Sequence, residues 1–265
     1  MLGKIIKHEF KATYKTALTM ILSVLLVGGL VRMMDLVSFD GTIWEIIEMI
    51  MAVFYLLLLI AVPVSMFVVS IARFYRTMVK DEGYLTHTLP VKKTQLINGK
   101  LITSVIWIII SIMVIPLSLL INVKNSIYTF RDIAELLKLV FSNSTYIMDC
   151  VMFILLIIVS IMASLLLCYA CIGMGQMFNG HRLAGSVLFY FIFQYAFGFM
   201  QLFSMMIIPG IVDMMNKYDT VSKILVAEDN GILALLLFGL LLQIIFGIIC
   251  YAITCWRFSK KLNLE

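Results

Sequence analysis

The chain has 265 residues, of which 63% are hydrophobic and only 13% charged, with a formal net charge of +5; its mean hydropathy is +1.07. A soluble domain of this size is about half apolar and about a quarter charged, so the composition excludes a water-soluble globular protein, and the richness in Leu, Ile, Phe and Met excludes a disordered one. An all-α integral membrane protein is what remains, because apolar surface in this excess has nowhere to go in water.

The N-terminal segment, residues 1–15, carries Lys4, Lys7, Lys11 and Lys15 at steps of three, four and four, with Leu2, Ile6, Phe10 and Tyr14 on another face. That spacing predicts an amphipathic interfacial helix with its lysines among anionic lipid headgroups, turning afterwards into the first span. A basic flank that only sets topology is the alternative. A span needs roughly 20 apolar residues. Six runs qualify, at about 16–31, 49–72, 101–123, 150–172, 183–209 and 232–256, and none has an Asp, Glu, Lys or Arg in its interior. The first is expected to stay as an anchor, since Arg32-Met33-Met34-Asp35 follows it in place of a small-x-small cleavage site.

Residues 78–100, between the second and third runs, form the longest markedly polar stretch. Gly83 lets the chain turn there, and Pro90 fixes φ near roughly −65° at a helix start, so Val91–Asn98 is expected to form a short rigid helix. Beyond the third run, "RDIAELLKLVF" (131–141) has helical spacing and predicts a short interfacial helix. A second short helix or re-entrant piece is expected after Pro209-Gly210. The fifth run is ring-rich, with Phe189, Tyr190, Phe191, Phe193, Tyr195, Phe197 and Phe199. So many rings suit a lipid-like or peptide substrate, or else lipid-facing packing. Gln194, Gln201 and Gln243 are the candidates for polar groups along a pathway, with helix-to-helix hydrogen bonding as the alternative.

Charge fixes the orientation. The N-terminal segment, the 73–100 stretch, the turn at 180–182 and the C-terminal tail hold fourteen basic and four acidic residues; the other three connections hold six and eleven. Both termini are therefore expected in the cytoplasm.

Motifs for chemistry are missing. Neither Gly3-Lys4 nor Gly99-Lys100 has the preceding glycine of a phosphate-cradling loop. His8, His87 and His181 are scattered and suggest no metal cluster. The five cysteines lie in or at the ends of apolar runs, where they read as packing residues, the Cys168-x-x-Cys171 pair included. An enzyme acting alone is not expected, nor a nucleic-acid partner. A secondary transporter would be expected to place ionisable groups at depth, and the six interiors hold none.

The combined layout resembles a type-2 ABC transporter permease, the bacterial six-span exporter subunit with an N-terminal elbow helix and both ends inside. The polar stretch carries the resemblance: Asp81 and Glu82, Gly83, Tyr84-Leu85, Thr88-Leu89-Pro90-Val91, and the later Gly99-Lys100. The opening "LGKIIKHEFKAT" and closing "KKLNLE" are also similar to bacterial members, so the likeness covers essentially the whole chain. One departure is Lys92-Lys93, where the family often has Ser or Thr.

The resemblance implies that the 78–100 segment is a coupling helix docking into a separate ATPase subunit. Tyr84, Leu85, Leu89 and Val91 would then be its apolar anchors, and Asp81, Glu82, Lys92 and Lys93 its charged rim. It also implies that ATP and Mg are bound by that subunit, with no cofactor in this chain, that a second permease chain completes the pathway, and that the complex sits in a bacterial plasma membrane. The cargo class would be an amphipathic compound such as a peptide, drug or lipid. A non-transporting membrane sensor or accessory scaffold that docks a cytoplasmic partner is the alternative. A stripe on the fourth run, Ser160, Ser164, Cys168, Cys171 and Gly175, offers close packing, within one chain or between two.

Overall fold

In the computed structural model the described residues are 2–37, 41–80, 91–122, six positions within 131–142, 144–178, 181–217 and 231–260. Six helices account for nearly all of them: α1 (Leu2–Val37), α2 (Thr42–Met78), α3 (Lys93–Asn122), α4 (Ser144–Gly175), α5 (Arg182–Lys217) and α6 (Gly231–Lys260). All six are long and apolar enough to cross a membrane, and no strand occurs among the described residues. A helix is the element that satisfies every backbone N–H and C=O within one segment when no water is at hand. The fold is that of an all-α, multi-pass membrane protein.

The helices overrun the apolar runs. At 1.5 Å per residue, the 36 residues of α1 measure roughly 54 Å against a hydrocarbon core of about 30 Å. Three expectations change as a result. Residues 2–15 do not turn into the first span; they continue into it as one helix. Their buried stripe explains the continuity, because Glu9, Thr13, Ala17, Val24 and Gly28 follow one face at steps of four or seven, and no Gly or Pro interrupts the chain from Lys4 to Val27. Nor do residues 91–98 form a separate short helix: α3 begins at Lys93 and runs unbroken to Asn122. The carbonyl of Lys92 opens it, accepting the N–H groups of Gln95 at 2.9 Å and Leu96 at 3.3 Å. Finally, α5 continues through Pro209-Gly210 to Lys217, where a break was expected. The described positions within 131–142 are helical, as their spacing predicts.

The chain divides into two compact units, residues 1–76 with 88–136, and residues 77–87 with 137–265. In the first unit α1 packs along α3, and α2 completes a three-helix arrangement. Val24, Tyr55, Leu59, Val62 and Val114 form its apolar centre. Gly28 permits the close approach at one end of this unit: a Cβ there would lie 3.0 Å from Ser118 Oγ, 3.1 Å from Asn122 Nδ2 and 3.1 Å from the Tyr55 ring. Tyr55 and Ser118 share a buried 2.7 Å hydrogen bond.

In the second unit α4 lies against both α5 and α6. Leu165, Tyr169, Cys250, Thr254 and Phe258 fill the interior, and Phe197 stacks on Phe246 with centroids 4.1 Å apart. The small-residue stripe of α4 serves this packing. Cys168 and Cys171 are buried as free thiols. Gly175 stands so close to α5 that a Cβ would meet Ser186 Oγ and the Arg182 carbonyl.

Candidate functional site

The first unit gathers three charged side chains at the end where α1 starts, α2 finishes and α3 starts. Glu9 of α1 receives one cation on each carboxylate oxygen. Lys100 Nζ of α3 donates to Oε1 at 2.6 Å, and Arg73 Nε of α2 donates to Oε2 at 2.8 Å. The side chains of Lys100, Glu9 and Arg73 are 4%, 10% and 28% exposed, respectively. Lys100 and Glu9 are thus withdrawn from water, and Arg73 stands at the edge. Charges removed from water need partners, and here the partners are one another.

Neighbouring groups hold this part of α1 against α3. The Thr13 hydroxyl donates to the Glu9 carbonyl at 2.9 Å and accepts the indole N–H of Trp107 at 2.9 Å. The Trp107 ring also packs on Phe10, with centroids 5.1 Å apart. Gly99, immediately before Lys100, lets Ile5 of α1 come within 2.7 Å of the point a Cβ would occupy. The Ile5 side chain of α1 is therefore seated against α3 one residue from Lys100. Beside the carboxylate lies a cavity of about 20 Å³ lined by Thr13, Ser70, Arg73, Lys100, Thr103 and Trp107, among others; that is room for about one water molecule.

Sequence reasoning missed this cluster. Glu9 and Arg73 entered it only as charges in a topology count, and Lys100 besides as half of the Gly99-Lys100 pair, since each lies beyond the end of an apolar run. A signal did exist: Glu9 is the lone acidic residue among four lysines, and it shares a four-residue spacing with Thr13 and Ala17. The structure also supplies a local reason for the Gly99-Lys100 pair, which in the sequence serves only as part of a family likeness.

The residues singled out from the sequence are distributed as follows. Lys4, Lys7, Lys11 and Lys15 are all exposed, on the side of α1 away from its buried stripe. Asp81, Glu82, Gly83, Tyr84, Leu85, Thr88, Leu89 and Pro90 lie outside the described residues. Val91 and Lys93 are half-buried and Lys92 is exposed. Gln194 and Gln201 are exposed on α5, two turns apart, and Gln243 is half-buried in α6. Of the aromatic residues of α5, Phe197 is buried, while Tyr190, Phe191, Tyr195 and Phe199 are exposed. No group of His, Cys, Asp and Glu suited to a metal ion occurs among the described residues. No protein-family model, curated protein or solved structure matches the chain.

Proposed function

We propose that this chain is the membrane subunit of an ATP-driven ABC exporter of the type-2 class, acting as a pair of permease chains with separate ATPase subunits in a bacterial plasma membrane. The observation that carries the proposal is the polar 78–100 stretch, which joins two long apolar helices and bears the Tyr-Leu and Thr-Leu-Pro-Val elements of the family likeness. The clasp adds support from a different direction. Arg73 and Lys100 stand on the helices that lead into and out of this stretch, and both are tied to α1. Force applied to the stretch would reach three helices together.

In this scheme both termini are cytoplasmic, as the distribution of Lys and Arg favours, and ATP and Mg are held by the partner subunit. The exposed rings of α5 suit an amphipathic cargo. Tyr84, Leu85, Leu89 and Val91 supply the buried anchors of the ATPase contact, with Asp81, Glu82, Lys92 and Lys93 around them. Central anchors of this kind each cost roughly 2 kcal/mol or more on truncation, and rim charges cost less.

A Tyr84→Ala/Leu89→Ala double variant tests the proposal while leaving every charge in place. Normal membrane insertion with loss of ATPase association is the expected result. Unimpaired association would reduce the stretch to a topogenic loop and remove the main support for the assignment.

A further inference from the structure

The chain leaves the first unit after Arg76 and re-enters it at Thr88. Arg73 lies three residues before the exit, and Lys100 lies seven residues inside the start of α3 at Lys93. Both cations close on the one carboxylate of Glu9, one per oxygen, at 2.8 and 2.6 Å. We propose that Glu9 is a positioning residue that makes the N-terminal third of α1 move with the ends of α2 and α3 that it joins, so that whatever displaces those ends also displaces α1.

Three observations carry the inference. The first is the sharing of Glu9. If α2 and α3 shift relative to each other, at least one of two short ion pairs must stretch unless Glu9 follows, and separating the charges of a buried pair is costly. The second is the continuity of α1. From Leu2 to Val37 it is one helix with no glycine or proline between Gly3 and Gly28, so movement at Glu9 is passed along the rod. The third is the close seating of Ile5 on Gly99 and of Phe10 on Trp107 on either side of the clasp. These contacts resist sliding of α1 along α3, because packed surfaces have discrete arrangements and do not deform continuously. The four exposed lysines on the outer face of the same segment play no part in the clasp and leave that face open to lipid headgroups.

The inference rests on the proposed function for the source of the motion, and its test keeps the two apart. The complex purified with its ATPase is placed in lipid nanodiscs, and spin-label distances are measured with and without ATP in a cysteine-free background. One label pair, Lys92→Cys with Arg131→Cys, reports whether the start of α3 moves at all. The other pair, Lys4→Cys with Lys92→Cys, reports whether α1 moves with it.

With Glu9 intact, ATP should shift the first distance by several ångströms and leave the second unchanged. Glu9→Gln should leave the first shift in place and make the second distance change by a comparable amount. The charge exchange Glu9→Lys/Arg73→Glu/Lys100→Glu, which restores both ion pairs with their signs reversed, should bring back the constant second distance; a role in folding alone would not produce that recovery. If Glu9→Gln leaves the Lys4–Lys92 distance unchanged by ATP, the clasp does not link α1 to the start of α3 and the inference fails, with the functional proposal untouched. If the first distance ignores ATP when Glu9 is intact, the proposed function fails and the inference goes with it. Should Glu9→Gln not insert, the charge-exchange variant decides alone: an ATP-dependent Lys4–Lys92 distance in it overturns the inference.

Discussion

Replacing Glu9 by Gln removes the charge from the clasp and keeps nearly the same shape. Lys100, 4% exposed, then loses the carboxylate it donates to, and removing one member of a buried pair costs about 3–5 kcal/mol. The Arg73 pair adds about 1 kcal/mol or less, because that guanidinium reaches solvent and water can take over its solvation. Lys100→Met is milder, since Glu9 keeps Arg73 and loses one charged hydrogen bond, a change of about 1–3 kcal/mol. Making both changes removes both members of the buried pair and fills the site with groups of similar length, so the double variant should lose no more than about 2 kcal/mol. The coupling energy between the two positions is then at least about 2 kcal/mol. Reversible unfolding in mixed micelles, followed by circular dichroism, measures all four corners of this cycle. A double variant whose loss equals the sum of the single losses, within about 0.5 kcal/mol, would show that the two charges do not depend on each other and refute the burial reasoning.

Other outcomes follow from the packing and the charge distribution. Gly28→Leu should disrupt the first unit, because three side chains already stand within 3.1 Å of the missing Cβ, whereas Gly29→Leu, which meets nothing within 4 Å, should be tolerated; comparative melting of the two variants checks the contrast. Tyr55→Phe strips the buried Ser118 hydroxyl of its partner and should cost about 1 kcal/mol, visible as a lowered midpoint in the same unfolding assay. A reporter that is active only in the cytoplasm, fused after Glu265, should be active; activity confined to a reporter that works only outside the cell would overturn the assigned topology.

The positions of the six apolar runs were legible in the sequence, because a hydrocarbon span imposes a length and a composition that can be counted along a single chain. Their true ends were less so. Runs such as 101–123 were bounded by where the polar residues begin, yet α3 starts at Lys93, since a helix continues into polar flanks until a breaker or a cap stops it. The first turns of α1 were read as an amphipathic surface segment from Lys4, Lys7, Lys11 and Lys15, and those lysines are indeed exposed. The opposite side of that segment holds Glu9 and Thr13 against α3, which periodicity does not disclose: it identifies a face but not what covers the face. The clasp was illegible for the same reason. Glu9 meets partners 64 and 91 residues away, and one sequence contains no record of which of its charges converge. The small-residue stripe of α4 showed the opposite pattern, where the spacing announced close packing and the structure supplied its partner in α5 through Gly175 and Ser186.

The central claim, that this chain works as a permease driven by a separate ATPase, is tested most directly by purifying the tagged full-length protein from its own membrane in mild detergent and weighing the intact complex by native mass spectrometry. The account predicts a mass containing two permease chains together with P-loop ATPase subunits, and ATP hydrolysis that falls when the Tyr84→Ala/Leu89→Ala variant takes the place of the native chain. A complex that carries no ATPase, or an active one with a single permease chain, would contradict it.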